Sequence, residues 1–289
     1  MTPDVLGNWP MADDGRWGPR RVSIGQCGHS GPVSGGRQRL DRRVTARGHV
    51  AAANSRAGYA QNIGGSPMDD AFWCGGSEAD WDDLLNRYWR LVKPNREAIE
   101  RELDILDWRS IQRLTPAQFY EWLYGRYFVW KFTADNRLGS TRGQLVRHQM
   151  EDPGFSELGQ IQTALFAFDR EDIPQGLEIA TRIHGLGPAG GSGLLAVLFP
   201  EKFGTVDQFV VDALAGVECL PERAAILRMH RKLFPKPYGS RKSSGSLTLT
   251  EAAVLIAILR RKGADLNARF GSTKWTPRRV DMALWADRR

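Results

Sequence analysis

The chain has 289 residues, 42% of them hydrophobic and with a formal net charge of +7, so it can bury a sizeable core and favours a polyanionic partner. Its longest apolar runs fall well short of the roughly 18 residues that a membrane-spanning helix needs, and its beginning lacks the residue order of a signal peptide. These features exclude a membrane protein and predict a soluble, cytoplasmic protein, which we expect to be a monomer.

Residues 1–68 contain nine Arg and four Asp but neither Lys nor Glu, and they show no apolar periodicity. Such a segment buries too little apolar surface to offset its chain entropy, so we predict a disordered extension before a folded domain at 69–289. The extension carries +5 of the net +7, which leaves +2 for the rest and weakens the inference of a polyanionic partner. Two interpretations stay open: an Arg- and Gly-rich arm that binds phosphates or, as we favour, translation from a misplaced start, with Met68 as the natural first residue.

From Ser77 onward, helix start signals precede apolar residues at the spacing of amphipathic helices. Ser77 can cap the first helix, and Thr115 with Pro116 and Gln118 forms a capping box that opens a helix reaching Trp130. Sustained period-two alternation is almost absent, so the predicted fold class is all-α. Further helices are predicted to open at Asn95 and Ser156, and to span 176–183, 189–198, 208–216, 222–234, 250–262 and 276–285.

The most informative segment runs from Thr181 to Leu214 and begins with a glycine-containing turn between two predicted helices. Gly185 and Gly187 allow a phosphate to approach closely, and the backbone N–H groups and dipole of the second helix favour an anion there. Many proteins use a Gly-x-Gly-Pro turn only to end one helix and begin the next. The turn alone is therefore weak evidence for DNA binding.

The continuation of this segment makes the pattern more specific. Ile183-His184-Gly185-Leu186-Gly187 is followed about twenty residues later by Val206-Asp207 at a predicted helix start. This arrangement resembles the helix-hairpin-helix DNA glycosylase superfamily, which includes the endonuclease III, adenine glycosylase and 8-oxoguanine glycosylase families. Residues 77–289 also look like bacterial proteins with an 8-oxoguanine-glycosylase-like fold. The resemblance implies a helix-hairpin-helix glycosylase fold whose hairpin and catalytic segment span 175–216.

The resemblance also implies double-stranded DNA as the partner, with the amides around Gly185, Gly187 and Ala189 holding a backbone phosphate. It implies no catalytic metal and no cofactor, apart from a structural monovalent cation that bridges hairpin carbonyls and the phosphate. His184 either faces that phosphate or only occupies a tolerant turn position, and His148 is predicted to be structural.

Asp207 is the predicted catalytic residue. Cleavage of an N-glycosidic bond passes through a sugar with oxocarbenium character, which a carboxylate can stabilise while it orients or deprotonates water. A position at the start of a helix keeps the carboxylate ionised, because free N–H groups and the helix dipole stabilise an anion. The alternative is that Asp207 only caps the helix that holds Phe209, Val210 and Leu214.

Ala189 stands two residues beyond the second hairpin glycine. Superfamily members that also cleave the DNA strand have a lysine there, whose amine forms a Schiff base with the sugar. The resemblance therefore implies a monofunctional DNA glycosylase that releases a modified or damaged base and leaves an abasic site, without β-lyase activity. Lys202 either substitutes for that lysine or, as we favour, is an exposed charge. The alternative function is a noncatalytic helix-hairpin-helix DNA-binding module.

A glycosylase must extrude its target base, and residues 133–142, read as a loop, offer donors for this task. Asn136 could plug the duplex or read a base edge, while Arg137 and Arg142 could hold phosphates. A solvated loop with its own turn is the alternative. The segment 236–246, rich in Gly, Ser and basic residues, is predicted to be a linker or a loop that follows a DNA backbone.

Tyr127 and Trp130 could line the base pocket, although aromatic residues at helical spacing more often belong to a core. The small-residue run 190–193 could accommodate a bulky base, such as a modified phage pyrimidine in antiviral defence, or could serve helix packing. Cys27, Cys74 and Cys219 are scattered and lack metal-ligand spacing, so we predict neither a disulfide nor an iron–sulfur cluster.

Overall fold

The structure is a computed structural model that describes residues 68–235 and 245–287. Every regular element in these two ranges is a helix, which confirms the all-α prediction. Residues 1–67 of the predicted extension at 1–68, and residues 236–244 of the predicted basic loop at 236–246, lie outside the described residues. Among the described helices, none has the length and apolar character required to cross a membrane.

The described ranges form α-helices joined by short turns, with one π-helical turn at Leu123–Tyr127. In chain order the α-helices are α1 (Asp70–Gly75), α2 (Glu78–Leu91), α3 (Pro94–Asp104), α4 (Trp108–Gln112), α5 (Pro116–Trp122), α6 (Phe128–Lys131), α7 (Asp135–Glu151), α8 (Ser156–Ala167), α9 (Ile173–Thr181), α10 (Pro188–Leu198), α11 (Gln208–Leu214), α12 (Arg223–Leu233), α13 (Leu249–Phe270) and α14 (Pro277–Asp287).

The predicted start signals at Ser77 and Thr115 both form capping boxes. The Ser77 N–H donates to Asp80, at 2.8 Å, and the Thr115 N–H donates to Gln118, at 3.0 Å. The helix predicted to run from Thr115 to Trp130 is interrupted, because the π-helical turn separates α5 from α6.

The prediction of a loop at 133–142 is wrong, because α7 begins at Asp135 and includes most of that segment. The sequence of α7 shows no clear apolar periodicity, because Gly139 and Gly143 occupy helix positions where larger apolar side chains would mark a buried face. Only Leu145 and His148 of this helix are buried. Tertiary packing at these positions holds a helix that its own sequence favours weakly.

Helix α10 lies in the core, where every residue from Gly190 to Leu198 is buried. A Cβ on Gly191 would lie 3.0 Å from Thr181 of α9, and a Cβ on Gly190 would lie 3.1 Å from Leu186. These glycines let neighbouring groups pack closely against α10. The run 190–193 is therefore filled by packing and provides no space for a bulky base.

The structure brings two of the scattered cysteines together. The Sγ atoms of Cys74, near the end of α1, and Cys219, between α11 and α12, lie 2.9 Å apart, and both thiols are free and exposed. Cys27 lies outside the described residues. The sequence separation of these cysteines thus gave a misleading impression of their distance in space.

Candidate active site

The turn between α9 and α10 requires its first glycine. Gly185 has φ of +92°, and a Cβ at this position would lie 2.6 Å from the Thr141 carbonyl oxygen of α7. A side chain would therefore meet both backbone strain and a clash. Gly187 differs, since its φ is −90° and a Cβ there would meet nothing within 4 Å. The protein itself places no such restriction on Gly187, which is exposed.

The N-terminus of α10 has no side-chain cap, because its N-cap residue is Gly187. Pro188 at the first helical position has no N–H, so the next amides, those of Ala189 and Gly190, carry the positive end of the helix. No described side chain accepts a hydrogen bond from these two amides. This end of the helix is suited to an external anion.

A surface depression of about 360 Å³ adjoins this helix end. Gln144 and Arg147 of α7 line it together with His184, Gly185 and Gly187. Arg147 is exposed, and its guanidinium makes no hydrogen bond or ion pair with another described residue. Sequence reasoning missed Arg147 because it did not place α7 beside the turn.

Asp207 is the N-cap of α11, as its position in the sequence predicts. Its Oδ1 accepts hydrogen bonds from the N–H groups of Phe209, at 2.8 Å, and Val210, at 3.4 Å. Its Oδ2 accepts no hydrogen bond from another described residue, and the side chain is half-buried. The carboxylate therefore caps the helix with one oxygen and keeps the other available.

The two residues before Asp207 are held by side chains from other helices. The Thr205 N–H donates to Asp281 Oδ2 of α14, at 2.6 Å, and the Val206 N–H donates to Ser192 Oγ of α10, at 3.1 Å. Burial raises the pKa of Asp281 to about 7. These contacts fix Asp207 relative to α10, and sequence reasoning missed both Ser192 and Asp281, which no local pattern distinguishes.

Lys131, the last residue of α6, also reaches this region. A Cβ on Gly193 of α10 would lie 3.1 Å from Lys131 Cδ and 3.2 Å from Cε, so the lysine side chain runs across the helix at this glycine. Burial lowers the pKa of its amine, and the negative charges of Asp207 and Asp281 act against that shift. Sequence reasoning did not identify Lys131.

The three residues predicted on a DNA-binding loop lie instead on α7. Asn136 and Arg137 are exposed, and Asn136 Oδ1 accepts a hydrogen bond from the Arg137 N–H, at 2.9 Å. Arg142 donates to the Tyr124 carbonyl oxygen, at 2.7 and 3.0 Å, and its guanidinium lies 4.2 Å from the centre of the Tyr124 ring. Arg142 thus holds α7 against the π-helical turn, and this internal contact occupies the group expected to bind phosphate.

The two aromatic residues predicted for a base pocket have different surroundings. Tyr127 is fully buried, and its hydroxyl donates to the Gly190 carbonyl oxygen, so it belongs to the core and has no face to offer a base. Trp130 is half-buried, and its Nε1 donates to Glu100, at 2.6 Å. Glu100 also accepts from Tyr88, at 2.6 Å, and pairs with Arg278, at 3.2 Å. This buried network fixes the orientation of Trp130.

His184 packs against a second histidine. The His184 ring stacks on that of His148 with 4.0 Å between the ring centres, and the backbone N–H of His184 donates to His148 Nε2, at 3.0 Å. Glu157 joins them, and one ligand atom from each residue lies within 4.8 Å of the others. Because Nε2 of a neutral His148 accepts, Nδ1 carries the proton and cannot bind a metal. The cluster therefore suits a hydrogen-bonded histidine pair better than a metal site.

The remaining lysine considered for the sugar chemistry is engaged elsewhere. Lys202 forms an ion pair with Glu171, and its side chain is 43% exposed. This agrees with an exposed surface charge.

In the described residues, these contacts define a helical arrangement in which α10 has an uncapped N-terminus and its Ser192 holds the residue before Asp207, the carboxylate that caps α11. Compared with known proteins, the chain matches no family model, no curated protein and no solved structure. Any functional assignment therefore depends on the chemistry of these residues.

Proposed function

We propose that this protein is a DNA glycosylase with a helix-hairpin-helix fold, which hydrolyses the N-glycosidic bond of a modified or damaged base and leaves an abasic site. The observation that carries the proposal is the half-buried Asp207 carboxylate. One of its oxygens caps α11 and the other has no hydrogen-bonding partner among the described residues. Hydrogen bonds from Thr205 and Val206 to α14 and α10 support a fixed position for it.

A phosphate of the DNA backbone would bind at the uncapped end of α10. The amides of Ala189 and Gly190 would donate to it, and Arg147 would supply a positive charge. The carbonyl oxygens of His184 and Gly185 accept no hydrogen bond from another described residue. They are suitable ligands for a monovalent cation, which would bridge the turn and the phosphate.

The reaction would take place on a nucleotide turned out of the duplex. As the bond between C1′ and the base nitrogen breaks, positive charge develops on the sugar, and the ionised Asp207 stabilises it. Water attacks C1′, its proton passes to the Asp207 carboxylate, and the electron pair of the broken bond leaves with the base. The departing base nitrogen takes up a proton and Asp207 releases one, which restores the carboxylate. The products are a free base and an abasic sugar.

The test is mass spectrometry of bases released from damaged, natural and phage DNA by the full-length protein. We expect Asp207→Asn to lower release roughly 100-fold or more, because the charge at the sugar is lost. Asparagine still caps a helix, so folding should persist. The matched control is Asp172→Asn at the N-cap of α9, where Asp172 accepts from Gln175, at 2.9 Å; this variant should retain release.

A noncatalytic DNA-binding module is the second candidate, because the open end of α10 and the exposed Arg147 could bind a phosphate without any contribution from Asp207. It predicts salt-dependent duplex binding that weakens when Gly187 is replaced by a bulky residue. If no duplex loses a base while such binding is present, the glycosylase proposal is wrong and the module remains. If no salt-dependent binding is found, neither candidate survives.

A further inference from the structure

The thiols of Cys74 and Cys219 take no part in the contacts of the candidate active site. Their Sγ atoms lie 2.9 Å apart, although 145 residues separate the two cysteines along the chain. Both thiols are free and exposed, so a small molecule can reach them. The sulfurs of a disulfide are about 2.05 Å apart, and these two atoms therefore need to approach each other by only about 0.9 Å.

The backbone beside Cys219 is held against α1. Asp70, the first residue of α1, accepts hydrogen bonds at Oδ1 from the N–H groups of Glu218, at 2.6 Å, and Cys219, at 2.9 Å. Arg223 of α12 also holds this connection, because its guanidinium donates to the Val217 carbonyl oxygen, at 2.9 Å, and to Glu218, at 3.0 Å. The approach of the two sulfurs is thus a property of a restrained connection.

The backbone beside Cys74 is anchored as well. Its neighbour Trp73 is buried, and the ring of Trp73 lies 6.0 Å from that of Trp81 of α2. The Trp73 carbonyl oxygen accepts a hydrogen bond from the Lys262 amine of α13, at 2.5 Å. Both cysteines are therefore carried by fixed segments, and rotation of their side chains is sufficient to join the sulfurs.

The two thiols differ in reactivity. Burial and hydrogen bonds with Cys74 and Asp70 raise the pKa of Cys219 to about 12. Cys219 therefore stays protonated near neutral pH. Because the thiolate is the nucleophile in thiol–disulfide exchange, the exchange begins at Cys74, and Cys219 acts second.

We infer that Cys74 and Cys219 are a redox-sensitive pair, which a disulfide of a low-molecular-mass thiol oxidises to a bond between α1 and the connection from α11 to α12. This inference does not depend on the proposed function. It departs from the expectation, based on the scattered positions of the cysteines, that they form no disulfide. The bond would restrain α1 by closing a loop across 145 residues.

The exchange balances in two steps. The Cys74 thiolate attacks one sulfur of the small disulfide, which forms a mixed disulfide and releases one small thiol. Cys219 loses its proton to water and attacks Cys74 Sγ, and the second small thiol leaves with the electron pair of the broken bond. The protein gives up two electrons and two protons, and the small disulfide is reduced to two thiols.

The test incubates the reduced full-length protein in buffers with increasing ratios of oxidised to reduced glutathione, and then alkylates the free thiols with a maleimide. The reduced protein should carry three adducts, one for each cysteine, and the oxidised protein a single adduct. Peptide mapping without reduction should find Cys74 joined to Cys219 within one chain. The thermal unfolding midpoint of the oxidised protein should be at least about 5 °C higher, because the bond constrains the unfolded chain.

The single variants test the order of the two steps. Cys219→Ser should accumulate glutathione on Cys74, because no second thiol displaces it, whereas Cys74→Ser should acquire little glutathione on Cys219. The matched control Cys27→Ser should form the disulfide like the unmodified protein.

Three outcomes would overturn the redox pair: alkylation of both Cys74 and Cys219 at the most oxidising ratio, a disulfide that contains Cys27, or one that joins two chains. A disulfide that leaves the unfolding midpoint unchanged would overturn the restraint on α1. Peptide mapping needs only the unmodified protein, so it decides even where a variant fails to fold.

Discussion

The helices α10 and α11 both begin within the segment 181–214, yet their N-termini are capped differently. α10 begins after Gly187, and no side chain caps it. α11 begins after Asp207, whose carboxylate accepts two of its first N–H groups. Both ends carry the positive pole of a helix dipole. One pole is therefore available to an anion from outside, while the other stabilises a charge that belongs to the protein.

In the function that we propose, the first of these helix ends serves binding and the second serves chemistry. A carboxylate at Gly187 would occupy the amides that a phosphate needs and would repel it. A glycine at Asp207 would leave no charge to stabilise a sugar cation. The contacts of Ser192 and Asp281 with the residues before α11 then hold the charged end in place.

The largest effect that we predict concerns Asp281, which holds the segment before α11. It is a pH dependence of the free energy of unfolding. The pKa of Asp281 is about 7 in the folded protein, above its ordinary value of 3.8, so the folded state retains a proton that the unfolded state loses. Stability from this group is present below pH 4 and is lost as the pH rises through 7, by at most about 4 kcal/mol.

Asp281→Asn retains an acceptor for the Thr205 N–H but cannot titrate. The unfolding free energy of the variant, relative to the unmodified protein, should therefore increase between pH 4 and pH 7. Urea unfolding of both proteins at several pH values measures it. An unchanged difference across this range would contradict a buried, protonated Asp281.

A somewhat smaller effect should separate the two glycines at the start of α10. Gly185→Ala should lower the unfolding free energy by about 3 kcal/mol, because alanine meets both a positive φ and the Thr141 carbonyl. Gly187→Ala should change it by less than about 0.5 kcal/mol, since its Cβ enters open space. Denaturant unfolding compares them, and equal losses would show that the turn has a different conformation.

The smallest effect concerns the cap of α11. Asp207→Ala should lower the unfolding free energy by about 1 kcal/mol, whereas Asp207→Asn should cost only a few tenths. If base release falls to the same extent in both variants while only alanine loses stability, the capping and catalytic roles of Asp207 are separate. Equal stability of the two variants would mean that its hydrogen bonds contribute nothing to the helix.

The sequence predicted those features that depend on a few neighbouring residues. The capping boxes at Ser77 and Thr115 and the cap at Asp207 each follow from residue types within one helical turn. The class of fold follows from the same patterns. These features depend on the local sequence and not on packing between helices.

The contacts that complete the site depend on residues far apart in the chain. Asp281 reaches Thr205 across 76 residues, and Lys131 meets Gly193 only after α6 packs on α10. Burial of Leu145 similarly holds α7, whose own sequence lacks a clear apolar stripe. Local patterns carry no information on such pairings, which is why Arg147, Ser192 and Lys131 were not predicted.

The π-helical turn at Leu123–Tyr127 accommodates one residue more than the α-helix on either side of it. Deletion of Gly125, where a Cβ would meet nothing within 4 Å, would let an ordinary helix continue into α6. Because the turn already absorbs the extra residue, α6 would keep nearly the same helical phase, and Lys131 would stay against Gly193. The same deletion in an ordinary helical turn would rotate every later residue by about 100° around the axis. In this chain the segment before α6 is therefore a place where the length of the chain can change by one codon without a change of helical phase.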